Sequence, residues 1–310
     1  MMHAKKTFYR LLPIVIVLSV SWFFYRTLSQ NWEKLDGIDL SVDTSSFMGA
    51  VLFTAAVVVS GHLWGKMLEI LSGNPVKASD AIRIHAASWL LKYIPGQVGS
   101  YLNKLAWGTK NGFSKKTVST SFIYENVLMA IAGLTLSVPA FLIFRQSVGS
   151  NIFLFLPALM VVPMAVVLSK SYFYRVLNTI FRLLNKKPFR ESDFLNGHLL
   201  SRFFIGYFIP RLLNGIGFVL IVQSIVPVSP SMYIGLGATY ILASIVGLLA
   251  FFVPGGLGVR EAVIVAFLSV YFPVEQAIIV ALITRVYATI SDIGVAVVYI
   301  VLNKGKIVQQ

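Results

Sequence analysis

Six apolar stretches of 18 to 27 residues dominate the chain: Leu11–Leu28, Phe47–Leu71, Val118–Phe144, Ile152–Ser169, Arg202–Val226 and Gln276–Leu302. A hydrocarbon core about 30 Å thick needs about 20 such residues in helix. Lipid cannot satisfy free backbone N–H and C=O groups, so runs of this length must pair them internally as helices. The remaining residues are too few to build a wetted surface. Hydrophobic residues are 57% of 310 and charged residues 12%, about half the usual charged share. A water-soluble enzyme is excluded. The expected fold class is an all-α integral membrane protein.

The net charge of +14 is spread between the apolar runs rather than gathered on one face, which argues against a nucleic-acid partner. Lys5, Lys6 and Arg10 precede the first run, while Gln30–Ser45 holds Glu33, Asp36, Asp39 and Asp43 against Lys34. Lys77–Lys116 has seven basic residues and one acid, and Lys170–Arg202 has seven and two. The positive-inside rule puts the basic segments and both termini in the cytoplasm, in a multi-pass protein of the inner membrane. The first run has no small-residue cleavage site after its aromatic end (Trp22, Phe23, Phe24, Tyr25) and reads as a retained anchor. No cysteine is present, which excludes thiolate chemistry, and His3, His62, His85 and His198 lack ligand spacing. No metal, cofactor or phosphate-binding loop is expected, so ATP is not the direct drive.

Two shorter pieces, Ser79–Ile94 and Val259–Tyr271, are each joined to another apolar piece through a break. The breaks are Pro95-Gly96-Gln97-Val98-Gly99 and Pro254-Gly255-Gly256-Leu257-Gly258, 159 residues apart. By composition, about 0.07 Pro-Gly-x-x-Gly matches are expected per chain. The first break lies in a basic segment and the second in one with few charges, which predicts two re-entrant hairpins entering from opposite faces. A full crossing by Ser231–Pro254 is the competing reading. Span, hairpin and span then repeat with inverted topology. The single membrane domain divides into an anchor and outer loop (1–45), half 1 (46–145), a linking span with a basic cytoplasmic loop (146–201) and half 2 (202–303). Inverted repeats give two conformations open to opposite sides, with a site where broken helices meet at mid-depth. The alternative is that the glycines only permit close helix packing.

The segments Lys92–Gly99, Tyr124-Glu125-Asn126 and Pro254–Ala262, with Arg285, resemble the membrane region of lysylphosphatidylglycerol synthases, a flippase-like domain family. The likeness runs from Leu11 to Leu302 and is most specific in Pro-Gly-Gly-x-Gly-x-x-Glu. It implies movement of lipids between leaflets; the best-known members flip aminoacylated phosphatidylglycerol, and related domains accompany glycan-assembly enzymes. The chain has no room for the soluble aminoacyl-transfer domain, so a standalone member without lysyl-lipid synthesis is expected. Asp292 stands outside the family pattern.

A charge in hydrocarbon is expensive and needs a reason. Helix N-termini restarting after Gly99 and Gly258 attract anions, which makes Gly96, Gly99, Gly255, Gly256 and Gly258 candidates for cradling a phosphate. Arg211 and Arg285 offer fork-shaped donors, Lys92 and Tyr93 a route in from the cytoplasmic leaflet. Glu125 is read as a lone intramembrane carboxylate that binds a proton or a cationic lipid group. Arg260 and Glu261 complete the substrate-binding set. The blander readings are a dipole or ion-pair role for Glu261, a structural Arg285–Asp292 network, satisfaction of carbonyls at the Pro210 kink by Arg211, and packing or interfacial roles for His62 and His85.

The leading expectation is a lipid translocase for an anionic lipid, either a polyprenyl-phosphate-linked sugar or an aminoacylated or other phospholipid. Its partners are membrane lipids and a separate lipid-modifying or glycan-assembly enzyme. No catalytic residues are assigned. An intramembrane transferase on a lipid-linked donor, with Glu261 or Glu125 as base, and a small-solute transporter are the alternatives.

Overall fold

Side-chain caps fix where the first long helices start. Asp43 accepts from Ser46 N at 2.8 Å to open α1 (Thr44–Ser72), and left-handed Gly73 (φ 72°) closes it. Ser114 accepts from Thr117 N at 3.0 Å to open α4 (Lys115–Leu136). The computed structural model describes residues 43–94, 97–148, 169–183, 188–191, 194–250 and 253–307, with Trp22, Tyr25, Arg26 and Ser29. Among these residues every regular element is helical.

Between α1 and α4 lie α2 (Ala78–Leu90), a single turn at Leu91–Tyr93, and α3 (Val98–Lys110). After α4 come α5 (Val138–Val148), α6 (Lys170–Leu183) and α7 (Gly197–Gln223). A turn at Pro230–Met232 leads into α8 (Tyr233–Leu249); a second turn at Pro254–Gly256 precedes α9 (Val259–Leu268), and α10 (Val274–Ile307) ends the described chain.

Five helical stretches are long and apolar enough to cross a membrane: Thr44–Ser72, Lys115–Arg145, Gly197–Gln223, Pro230–Leu249 and Val274–Lys304. Four correspond to expected spans; all but the last residue of the expected span Ile152–Ser169 and most of Leu11–Leu28 lie outside the described residues. The fifth, Pro230–Leu249, is the piece that the sequence placed in a hairpin. Its 20 residues reach about 30 Å at 1.5 Å per residue, enough for the core. By contrast α2 and α3, at 13 residues each, and α9, at 10, extend only about 15–20 Å. Part of the segment expected as a basic loop is α6, an amphipathic helix that buries Phe173 and Asn178 and exposes Arg175 and Arg182. Asn178 exchanges two hydrogen bonds with the backbone of Phe189, which pins the chain beyond it.

The packing is paired. α1 packs on α10 as α7 packs on α4; α2 packs on α10 as α8 packs on α4; α1 packs on α2, and α7 on α8; α3 packs on α4, and α9 on α10. The broadest contact joins α1 to α7. They run antiparallel: a Cβ built on Gly49 would lie 2.6 Å from Gly217 O, and one on Gly206 would lie 3.1 Å from Leu63. At Gly49, facing backbone, only glycine permits the approach. Around this crossing Phe53, Tyr240 and Phe218 form a continuous aromatic stack, with ring centroids 4.9 Å apart in each pair.

A candidate anion site between the two breaks

The two breaks have related backbones. Gln97 (φ 54°) is the one non-glycine among the described residues with positive φ; Gly256 (φ 66°) follows it by 159 positions, the interval between the two motifs. Left-handed backbone disfavours side chains with a Cβ, so the turn itself imposes this geometry. Pro95 and Gly96 lie outside the described residues. Gly99 serves close packing, since a Cβ there would stand 2.7 Å from Ile94 Cδ1 and 3.1 Å from Leu91 Cβ. At Gly256 a Cβ would come within 2.9 Å of Gly247 Cα, so α8 and the second turn touch backbone to backbone.

The turns Leu91–Tyr93 and Pro254–Gly256 pack against each other. They border a cavity of about 120 Å³, whose lining includes Ile94, Gln97, Ser100, Val253, Gly255 and Gly256. A second cavity of about 90 Å³ adjoins it; Trp89, Lys92, Met129, Ser244, Leu248 and Arg260 line both. The combined walls carry four cations, Lys92, Lys104, Arg211 and Arg260, against two carboxylates, Glu125 and Asp292. This excess of positive charge suits an anion.

How each cation is held decides which can receive a ligand. Arg211 is 5% exposed and donates from Nε to Met129 O at 3.2 Å and from Nη1 to Ser244 Oγ at 3.1 Å. These acceptors lie on α4 and α8, so Arg211 ties three helices together rather than satisfying its own helix at Pro210. Arg260 donates from Nη2 to Tyr240 Oη at 2.7 Å, with Cζ 5.3 Å from that ring's centroid. Among the described residues neither guanidinium has a carboxylate within ion-pair distance, although both line the second cavity; Arg260 still feels the charges of Glu261 and Asp292. Arg211, buried and outside ion-pair reach of any described carboxylate, keeps an unmet electrostatic demand.

Lys92 is compensated. Its Nζ lies 2.6 Å from Asp292 Oδ1, to which Trp89 Nε1 also donates at 2.9 Å, and it sits 4.4 Å over the Trp89 ring. Asp292, which stood outside the family pattern, thus joins α2 and the turn Leu91–Tyr93 to α10. Tyr93 forms the last residue of the turn before the break.

Glu261 is also engaged within the chain. Its Oε2 accepts from Gly258 N at 2.7 Å and its Oε1 lies 3.8 Å from Arg285 Nη1. The positive end of α9, expected to hold an anion, is met by the protein's own carboxylate. At α3 the corresponding Gln97 makes no side-chain cap. The two helix starts are therefore unequal, and neither Glu261 nor Arg285 lines either of the two cavities.

Glu125, expected as a lone carboxylate, has company. Lys104 Nζ pairs with its Oε2, and His85 Nδ1 lies 2.9 Å from its Oε1. Lys104 is 1% exposed, with Nζ 4.5 Å over the Trp64 ring. Lys104 was hidden in the sequence because it stands among the basic residues of an expected cytoplasmic loop. His85, expected in packing or at an interface, belongs to the same cluster. The available signal was three isolated ionisable residues in three neighbouring apolar segments.

The family described as Lysylphosphatidylglycerol synthase TM region matches residues 10–295. Comparison with curated proteins gives no match. The match extends over both breaks, both cavities and nearly all of the chain. This chain therefore belongs to the lysylphosphatidylglycerol synthase TM region family.

Proposed function

We propose that this protein is a translocase that carries an anionic lipid across the inner membrane, its headgroup passing between the two breaks while its chains stay in the bilayer. The observation that carries the reading is the pair of guanidiniums, Arg211 and Arg260, that line one cavity with no carboxylate within ion-pair distance of either among the described residues. Arginine forks match the oxygens of a phosphate or phosphodiester. The substrate class is a phospholipid, aminoacylated or not, or a polyprenyl-phosphate-linked sugar, made or consumed by a separate lipid-modifying or glycan-assembly enzyme.

The paired packing supports two inverted halves, with α1, α2, α3 and α4 answered by α7, α8, α9 and α10. α4 and α10 start 159 residues apart, the same interval as the breaks. In this reading Pro230–Leu249 is the tilted long limb of the second hairpin, the breaks enter from opposite faces, both termini are cytoplasmic, and rocking of one half on the other opens the cavity to each side in turn. Gly99, Gly255, Gly256 and Gly258 shape the breaks, Lys92 and Tyr93 form the entrance, and Arg260 with Arg211 receives the phosphate. Glu261 and Arg285 hold the start of α9.

Vesicles containing the protein and fluorescent phosphatidylglycerol provide the test. The expected result is lipid exposed to a membrane-impermeant quencher faster than in empty vesicles, with the gain lost in an Arg211→Ala/Arg260→Ala variant. A new lipid product would instead favour a transferase, and uptake of a radiolabelled solute a solute transporter.

A further inference from the structure

Three ionisable side chains from three helices meet in the wall of the first cavity, and the headgroup-binding role leaves them unused. They are His85 on α2, Lys104 on α3 and Glu125 on α4. All three are at least 95% buried by residue (exposures 5%, 1% and 2%). Burying charge is tolerated only when the groups compensate one another, and here each carboxylate oxygen meets one donor.

With Nδ1–H directed at Glu125 Oε1, the neutral imidazole keeps Nε2 as a lone pair. That Nε2 is buried and has no hydrogen-bond partner among the described residues. The cluster then consists of an ammonium, a carboxylate and a neutral ring, with zero net charge. One proton added at Nε2 gives a net charge of +1 and breaks neither bond to Glu125. The added charge falls close to Lys104, whose Nζ lies 3.1 Å from His85 Nδ1, so an anion in the adjoining cavity would offset it.

Among the described residues Glu125 is the one carboxylate that lines the first cavity. On α7 the Tyr207 hydroxyl interacts electrostatically with Glu125 and is likewise buried without a hydrogen-bond partner among the described residues. On α1 the neighbour is the Trp64 indole, and around the cavity the charged groups are Lys92 and Arg260. Glu261 is committed to Gly258 N and Arg285, and Asp292 to Lys92 and Trp89.

We infer that the His85–Lys104–Glu125 cluster is a proton-binding site linked to the occupancy of the cavity by an anionic headgroup. The proton comes from water as the headgroup enters and returns to water as it leaves; only an N–H bond is made and broken. Linkage is reciprocal, so protonation also tightens headgroup binding. The inference rests on the reading of the cavity as a headgroup site.

The test adds dioctanoylphosphatidylglycerol to the purified full-length protein in weakly buffered detergent with a pH-indicating dye. Calorimetry in buffers of different ionisation enthalpy reads binding and proton transfer together. The expected result is proton uptake rising with bound lipid towards about one per site. It falls at least about five-fold in Glu125→Gln and in His85→Gln, and is unchanged in the control His62→Gln. His85→Gln leaves the Lys104–Glu125 pair in place, so it remains informative if Glu125→Gln fails to fold. Binding without proton uptake, or equal uptake in His85→Gln, overturns the linkage alone. Absence of binding heat in every buffer overturns the headgroup reading as well.

Discussion

Gln97 and Gly256 adopt the same left-handed backbone at equivalent places in the two breaks, and both line the cavity between them. The side chain at Gln97 is therefore a departure from what the backbone prefers. Gln97→Gly is expected to stabilise the protein by roughly 1 kcal/mol, the scale of the left-handed penalty for a residue with a Cβ. Gly256→Ala is expected to destabilise it by more, since its Cβ also meets the backbone of Gly247. Thermal unfolding in detergent reads both signs; a lower melting temperature for Gln97→Gly would contradict the shared-geometry account.

Removing one member of a buried ion pair strands the other. Lys104→Met is expected to cost about 3–5 kcal/mol. Lys104→Met/Glu125→Gln should cost less than the two single changes together, because neither charge is left alone. A double-mutant cycle on unfolding measures the coupling, and simple additivity would show that the pair contributes nothing.

The two arginines are expected to act through the ligand. Arg211→Ala and Arg260→Ala should each weaken binding of a short-chain anionic phospholipid by roughly 10- to 100-fold, as befits hydrogen bonds to a charged group. Arg260→Lys should recover only part of the loss, since a lysine cannot reproduce the planar fork. Calorimetry on the folded variants checks this, and unchanged affinity in both alanine variants would remove the phosphate seat.

Asp292 competes with any incoming anion for Lys92, at 2.6 Å. Asp292→Asn keeps an acceptor for Trp89 but frees the ammonium. Lipid affinity is expected to rise several-fold while transport slows through delayed release, a split that parallel binding and vesicle assays detect.

The chain contains no cysteine, so single cysteines report sidedness without background. Asn74 and Ser229 are exposed in the loops after α1 and α7, and the antiparallel packing of those helices puts the loops at opposite ends. Asn74→Cys is expected to label from the cytoplasmic side and Ser229→Cys from the other. Labelling of both from one side would refute the inverted arrangement.

The long helices were legible because lipid leaves their backbones no alternative, and apolar length alone marked Thr44–Ser72 and Val274–Ile307 to within a few residues. Caps such as Asp43 sharpen those limits. Pro230–Leu249 was harder, because length near 20 residues sits at the border between a crossing and a hairpin limb. The breaks announced themselves through proline and glycine, whose backbone limits act locally. Pairings did not. Nothing in the spacing of His85, Lys104 and Glu125 states that three helices bring them together, and nothing near Asp292 points to Lys92, 200 positions earlier. Such contacts depend on helix rotation and crossing, which the sequence constrains only through the whole bundle.

At Gly49 and Gly217 each helix presents main chain to the carbonyl of the other, with the Ile221 and Phe53 side chains closing in beside the contact. The closest approach is main chain on main chain, which no rotamer change can shorten. The junction behaves as a fulcrum of fixed span: α1 and α7 can tilt about it, but drawing apart would forfeit the contact at once. Any larger residue at either position is a wedge, felt along the whole length of both helices.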